Sequence, residues 1–232
     1  MRKLLFASLA FVALSSAPAL AYTWNGFHWG VHAGGAWGKN TATDINGYNG
    51  APGHNWNYNS NGPIIGGQVG FNFMGPPLPP SWLVGIELAA GYMGLSGSGA
   101  DPLSPSSDTV AKTKTDFYAT LLGRVGHFWA APWMTYVTGG VIGINTNVSV
   151  NDNCSAAPCG AGLTSGGNTS FRTGWAVGAG IEYAPSGSLV SYRLEYLYFD
   201  VGSTTFTGSL SGAASNWKVK TTGNILRFAI NF

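Results

Sequence analysis

The chain has 232 residues, of which 45% are hydrophobic and 13% aromatic, yet only 9% are charged, with 11 Lys and Arg against 9 Asp and Glu. An ordinary soluble domain carries about 25% charge; this composition excludes a highly charged disordered chain and a nucleic-acid binder, which needs clustered basic residues against phosphates. A surface so poor in charge implies that much of it does not face water.

The first 21 residues read as a secretory signal peptide. Arg2 and Lys3 precede an apolar stretch over 4–14 that is too short to span a bilayer. Ser15 and Ser16 follow, then the small-residue cleavage site Ala19-Leu20-Ala21. Cleavage there removes residues 1–21 and leaves one domain, 22–232, that begins at Tyr22. The basic excess leaves with the signal, so the remaining chain is neutral. No later stretch approaches the ~20 consecutive apolar residues of a transmembrane helix.

Beyond the signal the hydrophobic period is two. From Phe27 the odd positions (Phe27, Trp29, Val31, Ala33, Trp37) are bulky and apolar, and the even ones (His28, Gly30, His32, Gly34, Ala36) are small or polar. The segment 64–73 sets Ile65, Val69, Phe71 and Phe73 against Gly66, Gln68, Gly70 and Asn72. The segment 82–92 sets Trp82, Val84, Ile86, Leu88 and Tyr92 against Gly85, Glu87 and Gly91. Further strands are predicted over 116–128, 133–146, 170–184, 189–200 and 219–232. In 133–146 either parity of Trp133, Tyr136, Val137, Val141 and Ile142 could face outward.

These are eight predicted strands, each long enough to cross a membrane at a tilt. Short turns (75–81, 130–132, 185–188) alternate with long polar segments read as loops (39–62, 94–115, 147–169, 201–218). That alternation is the pattern of an outer-membrane barrel. Cys154 and Cys159 lie in the third long segment, and in an exported chain they are expected to close a small disulfide loop. No His lies nearby in sequence to make them a metal site, and no metal site is expected elsewhere.

The bulky face has the composition of a lipid-facing surface. Trp29, Trp82, Tyr183, Tyr192 and Phe232 fall at the turn side of the strands, with Phe27 and Trp133. Trp37, Tyr92, Trp175 and Tyr198 fall at the loop side. About ten residues separate Trp82 from Tyr92, roughly 33 Å of strand, or about 25 Å of height at a ~40° tilt, which matches the apolar band between two aromatic girdles. In hydrocarbon every backbone polar group must be paired, so the sheet has to close. The expected fold is therefore all-β: an eight-stranded antiparallel up-and-down transmembrane barrel with short periplasmic turns and long extracellular loops.

The predicted inward face carries Glu87, Glu182 and Glu195 with Arg124, Arg193 and Arg227. An isolated charge in so narrow a lumen is costly, whereas paired charges are tolerable. An ion-pair plug is expected, with Glu87 beside Arg124 and Arg193 and Glu195 between Glu182 and Arg227. Gln68, Asn72, His28 and His32 would extend it. The alternative is a selectivity ring for small solutes. His127, at a turn-side strand end, and His54, in the first long segment, have no evident Ser partner, so no catalytic residue is assigned. Tyr48, Trp56 and Tyr58 are the expected contact residues of the loops, through which Lys39, Lys112, Lys218 and Lys220 are scattered.

The runs FHWGVHAGGAWG, LGRVGHFW with WMTYVTGGV, GWAVGAGIEYA, YRLEYLYFDVG and the terminal ILRFAINF resemble the small outer-membrane barrel proteins of alphaproteobacteria. These are the immunogenic surface-antigen type of rhizobia and brucellae, often labelled porin-family or opacity-like. The resemblance covers nearly all of 22–232. It implies a non-enzymatic barrel in the cell outer membrane of a Gram-negative bacterium, with roles in envelope integrity and surface recognition and no resident cofactor. Some relatives are credited with haem binding by loops and others with porin-like passage. It also implies contact with outer-membrane lipid and lipopolysaccharide, reading of Phe232 by the barrel-assembly machinery, and an unidentified extracellular partner of the loops. No periplasmic peptidoglycan-binding domain is expected. The long first loop, the Pro-rich first turn and the Cys154–Cys159 segment depart from the family pattern.

Overall fold

The computed structural model describes residues 22–104, 107–130, 132–152, 164–210 and 213–232. The signal segment and both cysteines lie outside these residues. Nine strands are present: β1 (Gly26–Asp44), β2 (His54–Phe73), β3 (Trp82–Met93), β4 (Ser96–Ala100), β5 (Thr109–Ala130), β6 (Trp133–Asp152), β7 (Thr164–Tyr183), β8 (Ser191–Leu210) and β9 (Ala213–Asn231). The sheet runs β1-β9-β8-β7-β6-β5-β3-β2, and β1 pairs with both β9 and β2, so the ring returns to its start. Because β4 continues β3 along the edge of β5, the nine segments occupy eight places. Every pairing is antiparallel.

Alternation decides which residues face out. Phe27, Val31, Ile65, Phe71, Ile86, Leu121, Val137, Val177, Leu194 and Phe228 are all exposed on the outer wall. In β6, whose parity was ambiguous, Trp133, Val137 and Val141 point outward while Met134, Tyr136 and Ile142 are buried. Neighbouring strands settle this: Tyr136 lies opposite Gly126 and Gly180, and inside the barrel the missing side chain of Gly180 makes room for its ring while that of Gly126 makes room for Met134.

The strand boundaries differ from the sequence reading. Much of each segment read as a loop is paired strand: β1 continues to Asp44, β2 begins at His54, β5 at Thr109 and β7 at Thr164. Six of the strands have 19 or 20 residues and β5 has 22. Such strands are about 65 Å long, or roughly 50 Å in height when tilted. That is about twice the apolar band of a bilayer.

The upper halves invert the pattern of the lower ones. Lys, Thr and Asn point outward, while Ala42, Trp56, Tyr58, Ala111, Val148, Val150, Phe206, Trp217 and Val219 pack inside as a buried cluster. That is the arrangement of a water-soluble sheet, and it carries the barrel wall above the membrane. Trp56 and Tyr58 are thus core residues, with the indole donating to the Gly99 carbonyl at 3.1 Å and the phenol bonded to Thr113 at 2.6 Å. Tyr48 packs on the same cluster. None of the three is a free contact residue.

Two register shifts sit where the wall leaves the membrane. In β5 Asp116 is the extra residue between the Thr115–Thr146 and Phe117–Asn145 pairs. In β8 the pairing with β9 slips between Asp200 and Ser203, where Gly202 adopts φ +68°, a conformation that favours glycine. Each bulge reverses the parity of the strand beyond it.

Candidate functional site in the barrel lumen

The six charged residues of the lower lumen are almost wholly buried, none more than 4% exposed. They come from five strands: Glu87 on β3, Arg124 on β5, Glu182 on β7, Arg193 and Glu195 on β8, and Arg227 on β9. Gly85 leaves room for Arg124 and for Asn72, which Arg124 bonds, and Gly180 leaves room for the Tyr136 ring beside Glu195.

The pairing exchanges partners relative to the simplest reading of adjacent strands. Glu87 does not bond Arg124. It receives both terminal nitrogens of Arg193 from the opposite wall, one of them at 3.0 Å, and a third contact from Arg227 at 3.2 Å. Arg124 passes over β6 to Glu182 at 3.1 Å. Only Arg227 and Glu195, directly opposite each other on β9 and β8, pair as register neighbours, with Nε to Oε1 at 2.6 Å. The lumen is narrow enough for a guanidinium to span it, and a fork-shaped donor set matched to a carboxylate favours that span.

Neutral donors complete the layer. Glu182 also accepts from Ser191 at 2.5 Å, Asn231 at 2.9 Å and Tyr22 at 3.1 Å. Glu195 accepts from Tyr136 at 2.5 Å. Asn72 accepts twice from Arg124, at 2.8 and 3.0 Å, and donates to the Trp24 carbonyl. His28 stands 3.5 Å from Glu87. His32 bonds Gln68 at 2.5 Å and the Tyr118 hydroxyl, and Gln68 donates to Asn231 at 2.7 Å. With three Glu against three Arg the network is formally neutral.

At the turn end Tyr22 and Trp24 stop the mouth. The Tyr22 amide donates to the Ser188 carbonyl, and Trp24 meets Phe128 edge-on at 4.9 Å. Burial and the Glu182 carboxylate beside it raise the Tyr22 phenol above its ordinary range. Above the charges lies an apolar layer of Ile64, Met93, Leu95, Leu122, Ile142, Ile144, Leu197, Phe199 and Ile225. A second, polar layer follows, then the upper apolar cluster.

The polar layer holds a residue that the sequence reading passed over. Arg172 of β7 is buried and donates to the Thr221 hydroxyl at 3.2 Å and to the carbonyls of Val201 and Gly202. Its even position, in phase with the inward residues after Trp175, was the available signal.

The outer wall carries the aromatic girdle residues. Trp29 stacks on Phe232 at 4.6 Å and Trp133 lies 4.4 Å from Tyr183 at the turn side, where Trp82 and Tyr192 are also exposed. At the other side Trp175 lies 5.5 Å from Tyr198 and Trp37 lies 6.3 Å from Tyr196, with Tyr92 exposed nearby. His127 sits in the wall against Trp82 at 4.9 Å. His54 bonds Asp101 at 3.0 Å, and the Ser104 hydroxyl donates to Asp108 at 2.6 Å.

The family model described as outer membrane protein beta-barrel domain matches residues 6–232. The 31 kDa outer-membrane immunogenic protein of Brucella melitensis is 27% identical over 212 residues, which cover 82% of this chain and 76% of the relative. The 25 kDa outer-membrane immunogenic protein of Brucella canis is 25% identical over 196 residues, covering 82% and 74%. Among solved structures, the outer membrane protein OprG of Pseudomonas aeruginosa superposes with a TM-score of 0.55 at 15% identity, covering 91% of this chain and 98% of the other. The closed ring of tilted strands, its lipid-facing outer wall and these matches agree: the chain belongs to the outer-membrane β-barrel family and resides in the outer membrane.

Proposed function

We propose that the protein is a closed structural barrel that reinforces the outer membrane and raises a rigid platform for surface contacts above it. One observation carries this reading: the lumen is crossed by a neutral, fully buried Glu/Arg network with a packed apolar layer directly above. Moving a solute through would require breaking several charge-assisted bonds at once and then opening a dry side-chain core. The wall above the membrane is built from continuous strands around a second core, so whatever it presents is displayed on a stiff scaffold. Planar-bilayer recording of the purified monomer tests the closure. Only rare, brief events are expected, and a steady, large conductance would replace this reading with that of a solute pore.

A further inference from the structure

Among the described residues the basic side chains divide by type. All four arginines (Arg124, Arg172, Arg193, Arg227) are buried inside, and all five lysines (Lys39, Lys112, Lys114, Lys218, Lys220) are exposed on the outer wall. The lysines lie on the upper halves of the strands, beyond the loop-side aromatics. Three of them converge on β1 and β9. Lys39 pairs in register with Thr222, and Lys220 and Lys218 lie opposite Thr41 and Thr43. Alternate residues on one strand are about 6.6 Å apart and diagonal cross-strand neighbours roughly 7–8 Å, so the three ammonium groups form one patch.

We infer that this patch binds the anionic headgroup of an outer-leaflet glycolipid. Height is the first argument. Lys39 is two residues beyond Trp37, roughly 5 Å above the girdle once strand tilt is allowed for. Lys220 and Lys218 follow at similar steps, and lysine stems reach down toward the interface. Charge is the second. Asp200, bonded to Lys220 at 3.1 Å, is the carboxylate beside the patch, against three ammonium groups. The remaining outward neighbours, Asn57, Asn59, Thr41, Thr43, Ser203 and Thr205, are neutral hydrogen-bonding groups of the kind that suits sugars. The third argument is continuity: directly below, Trp37, Tyr196, Leu226 and Phe228 are exposed as a surface for acyl chains. The pair on β5, Lys112 and Lys114, has Asp116 two residues further along the outer face and is the weaker candidate.

The inference rests on the outer-membrane placement with the long strand ends outward, and its test does not depend on whether the lumen conducts. The folded protein, checked by its heat-dependent gel mobility, is titrated in detergent with bisphosphorylated lipid A, and binding is followed by native mass spectrometry. The triple Lys39→Gln/Lys218→Gln/Lys220→Gln variant is expected to weaken binding by at least roughly tenfold. The corresponding triple Lys→Arg variant should keep it, and Lys112→Gln/Lys114→Gln should change it by less than about twofold. Dephosphorylated lipid A should bind the native protein no better than lipid A binds the triple Gln variant. Unchanged binding by that variant, an equal loss from the β5 pair, equal affinity for phosphatidylglycerol, or displacement of the lipid by inorganic phosphate would each overturn the assignment.

Discussion

Arg193 on β8 and Glu87 on β3 stand four places apart in the ring of eight, and the guanidinium donates across the lumen through both terminal nitrogens. The pair is a strut between opposite walls. Glu87 also receives Arg227, so Glu87→Gln leaves two buried cations short of compensation. Breaking a buried pair from one side costs about 3–5 kcal/mol, whereas replacing both members by apolar groups is often neutral. The Glu87→Leu/Arg193→Leu double variant is therefore expected to be more stable than either single substitution. Urea unfolding in lipid vesicles, read as a double-mutant cycle, measures the coupling. Additive losses would show that the two residues act independently.

Gly180 on β7 faces the ring of Tyr136, where an added Cβ would lie 2.3 Å from the hydroxyl. That hydroxyl donates to Glu195. Gly180→Ala must push the phenol aside and loosen the bond, an overpacking cost of about 1–3 kcal/mol. Combining it with Tyr136→Leu should recover part of the loss, because the clash goes with the ring. Heat-dependent gel mobility across a temperature series reads both effects, and no recovery in the double variant would place the strain elsewhere.

The lower half of the barrel was legible because its alternation is unbroken: bulky outward residues from Phe27 to Trp37 or Trp175 to Tyr183 need only period two. The inward charges were legible for the same reason, but their partners were not, since a guanidinium that crosses the lumen leaves no trace in strand order. The upper half was obscured by two features. Its outward residues are Lys, Thr and Asn, as in a loop, and the bulges at Asp116 and near Asp200 put its inward residues out of phase with the strand below. Trp56 and Tyr58, on a strand without a bulge, read as loop contacts for the first reason alone, because Asn55, Asn57 and Asn59 alternate with them, although both are core.

This difference has a measurable consequence. A loop would offer Lys112, Lys114, Lys218 and Lys220 to trypsin, whereas paired strands hold their backbones in the ladder. Limited digestion of the folded barrel is expected to spare all four sites under conditions that cut the heat-unfolded chain at each of them. Mass spectrometry of the fragments checks this, and early cleavage after Lys112 or Lys218 would argue that the upper wall is not continuous.

Arg172 marks the place where that wall is thinnest. The β7–β8 ladder runs from Tyr183↔Tyr192 to Trp175↔Asp200 and resumes at Ser165↔Ser209. Within the interval the Arg172 guanidinium donates to the carbonyls of Val201 and Gly202 and to Thr221 on β9. The side chain thus supplies from inside some of the hydrogen bonds that the backbone does not make between these strands. Arg172→Leu removes those donors and leaves the buried Val201 carbonyl without that partner, at a cost of about 1–3 kcal/mol. Because the loss is confined to the seam above the girdle, it should appear as faster amide exchange over 201–208 while amides at 192–199 keep their protection. Arg172→Lys retains the charge but not the fork of donors, and partial protection is expected. Uniform loss of protection through β8 would instead mean that Arg172 stabilises the whole barrel and not its seam.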